Sequence, residues 1–142
     1  MDRRKFLKHT AIVSGGVAVQ AAGCSSSIRA IKMEMPARGA WITVIYTDYK
    51  ELEEIGGAIQ IHVEDKNESI ILMRSSEGRF HALSPICTHL GCEVKAVKTG
   101  FRCPCHGSAY GEEGQVVNGP AREDLASYQI AQKGRQISIR VM

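Results

Sequence analysis

The sequence predicts an all-β, antiparallel fold, and three observations carry that prediction. From Trp41 onward, runs of three to six β-prone residues alternate with segments rich in Gly, Asn, Asp, Ser and Lys. The connections are short, whereas parallel neighbours need crossovers of a dozen or more residues. Helix-forming character is confined to one turn's worth of chain, Tyr49–Ile55. At 142 residues and 44% hydrophobic content, the chain suits a single domain with a modest core.

Taken in order, residues 1–23 form a leader. MDRRKFLKHTAIVSGGVAVQAAGC has a basic start, a short apolar run from Thr10 to about Val19, and small residues before Cys24. The apolar run, broken by Gly15, Gly16 and Gln20, falls short of the roughly 20 residues of a spanning helix. Residues 24–40 are polar, contain Pro36 and Gly39, and read as a flexible tether. The folded domain then occupies 41–142. Its expected strands are Trp41–Ile45, Ala58–Val63, Ser69–Arg74, Arg79–Leu83, Glu93–Val97, Gln115–Val117, Ser127–Gln132 and Ile137–Val141. The turns between them include Asp65–Glu68, Ser76–Gly78, Lys98–Gly100, Gly111–Gly114 and Lys133–Arg135.

Charge adds little. The formal net charge is +3, and Arg3, Arg4, Lys5 and Lys8 against Asp2 already account for it. From Thr10 onward the charges cancel, so there is no nucleic-acid footprint. The leader itself is informative. Asp2-Arg3-Arg4-Lys5-Phe6-Leu7-Lys8 resembles a twin-arginine export motif, which implies transport of an already folded protein. Ala21-Ala22-Gly23-Cys24 resembles a lipobox, which implies cleavage before Cys24, lipidation of its sulfur, and a protein held at the periplasmic side of a bacterial membrane. Anchoring by an uncleaved N-terminal segment is the alternative.

Four of the five cysteines fall in two boxes, Cys87-Thr88-His89-Leu90-Gly91-Cys92 and Cys103-Pro104-Cys105-His106-Gly107-Ser108. Each box offers two cysteines and a histidine on a loop where Gly or Pro permits tight turns. Six candidate ligands exceed what one four-coordinate metal needs. A structural zinc would leave two thiols beside it, and neighbouring thiols in an exported protein should pair. Two ligands from each loop plus one disulfide between the loops would use every group, and would suit either zinc or a two-iron, two-sulfide cluster.

The boxes C-T-H-L-G-C and C-P-C-H-G-S resemble those of Rieske iron–sulfur proteins, in which two histidines replace two cysteines on one iron. The resemblance runs from Ala58 to about Tyr128. It implies an antiparallel Rieske-type fold with a small cluster-binding part at about 84–121. One [2Fe-2S] cluster would be held by Cys87, His89, Cys103 and His106. Cys92 and Cys105 would form the disulfide found in the quinol-oxidising, cytochrome bc and b6f branch. Ser108 and Tyr110 match hydroxyl donors that raise the reduction potential, within roughly −150 to +300 mV for the class. His106 would meet quinol and accept its proton. Leu90 and Gly119-Pro120-Ala121 would cover the cluster. The segment between His89 and Cys103 is short for that branch.

The implied function is one-electron transfer from quinol to a cytochrome c, as a subunit of a cytochrome b-containing oxidoreductase. The alternatives are an electron-transfer subunit of another oxidoreductase, such as a molybdenum oxidase, and a structural zinc module. His62 and His81 read as strand residues, His9 as part of the leader, Trp41 as a core or strand-edge aromatic, and Glu51, Glu53 and Glu54 as a solvated face.

Overall fold

A computed structural model describes residues 31–64 and 66–142. The leader, Cys24 and the first part of the expected tether lie outside the described residues. The order along the chain is β1 (Ile31–Met35), β2 (Trp41–Ile45), a 3-10 turn (Tyr46–Asp48), α1 (Lys50–Glu53), β3 (Ala58–Val63), β4 (Glu68–Arg74), β5 (Phe80–Leu83), β6 (Lys95–Val97), β7 (Gly100–Arg102), β8 (Ala109–Tyr110), β9 (Val116–Asn118), β10 (Ile130–Lys133) and β11 (Gln136–Arg140). They build three sheets, ordered β1-β3-β4-β5, β10-β11-β2 and β6-β7-β8-β9.

All pairings are antiparallel except β1 with β3. The chain between Met35 and Ala58, which contains β2 and α1, supplies the crossover that a parallel pair requires.

The first two sheets face each other across a core of Ile42, Val44, Ile59, Ile61, Val63, Ile70, Leu72, Ile137, Ile139 and Val141. This is sandwich packing, with inward residues from each sheet interdigitating. A second core lies on the other side of β3 and β4. There Ala58, Ile71, Met73 and Leu83 meet Val94, Ala96, Phe101, Tyr110 and Leu125 of the third sheet and its loops. Both faces of β3 and β4 are therefore covered, so these strands read as nearly continuous apolar runs rather than alternating ones. Each large aliphatic buried in this way contributes roughly 1.5–3 kcal/mol.

Several expectations change. The tether over 24–40 is cut short, because residues 31–35 form β1. Its alternation explains the strand: Met33 and Met35 pack against the first core while Lys32 and Glu34 are exposed. The strands β7 and β8 were not anticipated, since three- and two-residue strands flanking a cysteine box carry almost no periodic signal. The strand expected from Ser127 begins at Ile130, and Ser127 makes only an isolated bridge to Leu83. The helical turn falls within the expected segment, burying Leu52. Its last carbonyls are held by Arg74, whose Nη1 donates to Leu52 O at 3.3 Å and Glu53 O at 2.8 Å. Trp41 is 37% exposed at the start of β2, opposite Arg140.

Candidate metal centre

The two cysteine boxes fold into two loops with the same hydrogen-bond pattern. In the first, between β5 and β6, Gly91 N donates to Cys87 O at 3.0 Å and Cys87 N donates to Cys92 O at 2.7 Å. In the second, between β7 and β8, Gly107 N donates to Cys103 O at 3.1 Å and Cys103 N donates to Ser108 O at 2.8 Å. Gly91 and Gly107 close these turns at φ 80° and 81°, a left-handed conformation that side chains disfavour. Each loop thereby turns a cysteine inward and raises a histidine two or three residues later.

Cys92 and Cys105 are joined by a disulfide with Cα atoms 6.5 Å apart, which ties the loops together. Cys87 and Cys103 remain free thiols, each 2% exposed. The rings of His89 and His106 stand 4.8 Å apart, edge to face. His106 is exposed, while His89 is half-buried and its Nδ1 is buried without a hydrogen-bond partner. A buried ring nitrogen left unpaired costs roughly 1–3 kcal/mol. A lone pair directed at a metal removes that cost. The Sγ atoms of Cys92, Cys103 and Cys105 also lie within 4.8 Å of one another, but two of them are bonded to each other and offer no thiolate.

Hydrogen bonds at Tyr110 and Ser108 brace the two loops. Tyr110 Oη lies 3.2 Å from Cys87 Sγ, and it also meets Thr88 N at 3.1 Å and Thr88 Oγ1 at 3.0 Å. Burial pushes the Cys87 thiol up, but hydrogen bonds from Tyr110, the His89 backbone, Cys103 and Ser108 outweigh it and leave the pKa below the ordinary value. The same hydrogen bonds lower the cost of presenting Cys87 as a thiolate. Ser108 is fully buried, and its Oγ accepts a bond from Ala121 N at 3.0 Å.

Thr88 was not singled out from sequence. Its hydroxyl donates to Glu123 O at 2.6 Å and so joins the first box to the 119–123 loop. Its position inside C-T-H-L-G-C was the only available signal. The loop and the box together bound a cleft of about 430 Å³ lined by Thr88, His89, Pro120, Ala121, Arg122 and Glu123. A larger cleft of about 570 Å³ lies between the β4–β5 turn and the turns of the third sheet, and no cysteine or histidine lines it. Leu90 is 68% exposed beside the first box. His62 and His81 stay in β3 and β5, with His62 Nδ1 3.2 Å from Ser69 Oγ.

Residues 41–129 match the model of the Rieske [2Fe-2S] domain. The chain is 45% identical over 65 residues to the chloroplastic cytochrome b6-f complex iron–sulfur subunit of Volvox carteri, covering 43% of this chain and 32% of that one. It is 35% identical over 86 residues to cytochrome b6-f complex iron–sulfur subunit 1 of Nostoc sp. PCC 7120, covering 58% and 48%. The chain therefore spans half or less of the length of these relatives.

Among solved structures, the plasma-membrane Rieske protein PetC3 of the cyanobacterium Synechocystis PCC 6803 superposes with a TM-score of 0.59 at 27% identity, covering 70% of this chain and 99% of that one. The quaternary ammonium Rieske monooxygenase CntA gives 0.61 at 18% identity, a likeness of fold alone. Two loops of one shape, two buried thiols, two adjacent imidazoles and this match over 41–129 lead to one conclusion: the chain belongs to the Rieske [2Fe-2S] family and its cofactor is a [2Fe-2S] cluster.

Proposed function

We propose that this Rieske electron carrier takes electrons one at a time from quinol within a cytochrome b-containing complex and delivers them to a cytochrome c on the periplasmic side of a membrane. Cys87 and Cys103 would hold one iron, and His89 and His106 the other. The observation that carries the ligand set is the pairing of two free buried thiols with two imidazoles 4.8 Å apart, after the disulfide has removed Cys92 and Cys105.

When bound, the cluster supplies a single reversible one-electron site at a potential raised by its neutral imidazole ligands. The chain's own residues do the rest. His106 is exposed, so its outer ring nitrogen can meet a quinol hydroxyl and hold the proton that leaves with the electron. Tyr110 donates toward Cys87 Sγ, and the buried Ser108 hydroxyl keeps its hydrogen free to donate, because its oxygen accepts from Ala121 N. Such donors favour the more negative, reduced state. The buried Ala121 limits water at the site, and Leu90 and the loop around Ala121 would extend that cover over a bound cluster.

The test is iron and acid-labile sulfide analysis of the purified protein, followed by its reduction potential between about pH 6 and 10. A potential that falls with rising pH is expected. A flat profile would rule out coupled proton release at the histidines.

Export through the twin-arginine route and lipid attachment at Cys24 belong to the same proposal. Cys24→Ala should shift the protein from the membrane to the soluble fraction, and mass spectrometry of the wild-type N-terminus should find acyl chains.

A second reading is that the carrier serves an oxidoreductase other than a cytochrome bc-type complex, such as a molybdenum oxidase, and the segment between His89 and Cys103, short for the quinol-oxidising branch, favours it. Mixing the oxidised protein with quinol, and the reduced protein with cytochrome c, separates the readings. Transfer to cytochrome c without reduction by quinol would support the second.

A further inference from the structure

On β6 and β7, Lys95 and Arg102 are directly paired across the ladder, so both project from the same outer face. Their neighbours Ala96 and Phe101 point inward and are buried. Two cations opposite one another destabilise a strand pair, and Arg102 has no carboxylate within 4.0 Å among the described residues. Two acids lie nearby: Glu34, which lines the same cleft as Lys32, and Glu93, which is shared. Glu93 Oε1 meets Lys95 Nζ and Lys32 Nζ, each at 3.2 Å. Three cations against two carboxylates leave a surplus of one positive charge, and Arg102 is the cation without an ion pair among the described residues.

The charges are solvent-accessible, with the Lys32 and Lys95 side chains 66% and 51% exposed. The chain after residue 10, patch included, is balanced, so the surplus here is offset elsewhere and the head is polarised rather than merely basic. The patch also lies against the redox site by covalent adjacency. Arg102 precedes Cys103, and Glu93 follows the disulfide residue Cys92.

We propose that Lys32, Lys95 and Arg102 form a docking surface for an acidic face of the protein that takes this carrier's electron. The inference rests on the electron-carrier reading and adds the chemistry of the partner. A patch of one sign near a redox centre steers an oppositely charged acceptor into productive encounter and loses that effect as salt rises. The cross-strand repulsion persists in the free protein, and an incoming carboxylate relieves it. Lys32 brings β1 into the same surface, although it is remote in sequence.

The test follows oxidation of the reduced, cluster-containing full chain by ferricyanide, an anionic one-electron acceptor, and by the cationic tris(phenanthroline)cobalt(III) ion. Lys95→Glu and Arg102→Glu should each slow ferricyanide by about fivefold at low ionic strength and speed the cobalt complex, with the differences fading at high salt. Poly-L-glutamate should inhibit ferricyanide oxidation of the wild type and not of the variants. Lys133→Glu, at the end of β10, should change either rate by less than about twofold.

Unchanged rate ratios in both patch variants, or an equal change in Lys133→Glu, would overturn the docking surface. Loss of sedimentation with phosphatidylglycerol vesicles, with oxidation rates unaffected, would overturn it in favour of a membrane contact. Absence of iron and sulfide, or failure of either probe to oxidise any form, would instead overturn the electron-carrier reading.

Discussion

Tyr110 has one hydroxyl hydrogen and two acceptors within reach. Thr88 N–H donates to its oxygen, and the Thr88 hydroxyl spends its own hydrogen on Glu123 O at 2.6 Å. The phenol proton is therefore shared between Thr88 Oγ1 at 3.0 Å and Cys87 Sγ at 3.2 Å. Burial, reinforced by Cys87, raises the Tyr110 pKa above its ordinary value, so the phenol stays a neutral donor throughout the physiological range. Tyr110→Phe should lower the reduction potential by about 40–60 mV. That follows from a hydrogen bond worth about 1–1.5 kcal/mol and 59 mV per tenfold in a one-electron couple. Voltammetry on the intact protein reads it directly. Thr88→Val should leave the cluster loaded but free the 119–123 loop, which faster amide exchange at Ala121 would reveal.

At the level of elements, β1 and the third sheet are joined through Glu93. Burial pushes the Glu93 carboxyl up, but its bonds to Lys32 and Lys95 outweigh this and hold the pKa below the usual 4.5. Because the folded value is depressed, its stabilising contribution is fully present above about pH 4.5 and is lost as pH falls through the folded pKa. The group is about a third exposed, so the contribution is under ~1 kcal/mol. Lys32→Gln should flatten the acid limb of a urea stability profile between roughly pH 3 and 5.

Larger effects are expected where an element end is pinned. Arg74 bonds two carbonyls of α1 and lies 5.5 Å from the ring centroids of Tyr46 and Phe80. Arg74→Ala should cost ~2 kcal/mol in chemical denaturation, with Lys recovering only part because it cannot offer the planar fork. At Gly100, φ is 138° and a Cβ would stand 2.1 Å from Tyr110 O. Gly100→Ala should therefore separate β7 from β8 and reduce cluster occupancy.

These elements also mark what sequence could disclose. The six-residue β3 and seven-residue β4 are apolar enough to be visible, and the cysteine boxes were specific enough to point to a family. In contrast, β1 hid in a polar stretch because only Met33 and Met35 signalled a buried face, and β7 and β8 are too short for periodicity to register. Thr88 could not be assigned because its role depends on a carbonyl 35 residues away.

Across the whole molecule, β3 and β4 serve two cores at once, and the cluster loops depend on the second of them. Cys87 and Cys103 are themselves members of that core. The disulfide spans a sequence separation of 13, for which loop-closure arguments give about 3 kcal/mol. Replacing Cys92 and Cys105 together with serine should remove that stabilisation from the third sheet while sparing the sandwich. In hydrogen exchange, amides of Ala96 and Phe101 should lose protection well before those of Ile61 and Leu72. Equal loss at both would mean that the two cores open as one unit.

Trp41, the single tryptophan, lies on β2 in the sandwich sheet that the cluster loops do not join. Its fluorescence thus reports the sandwich, while the visible absorption of the bound cofactor reports the loops, giving each core its own optical channel. Two unfolding curves recorded from one sample would either coincide, as a cooperative two-state transition requires, or separate into the sequence in which the halves let go.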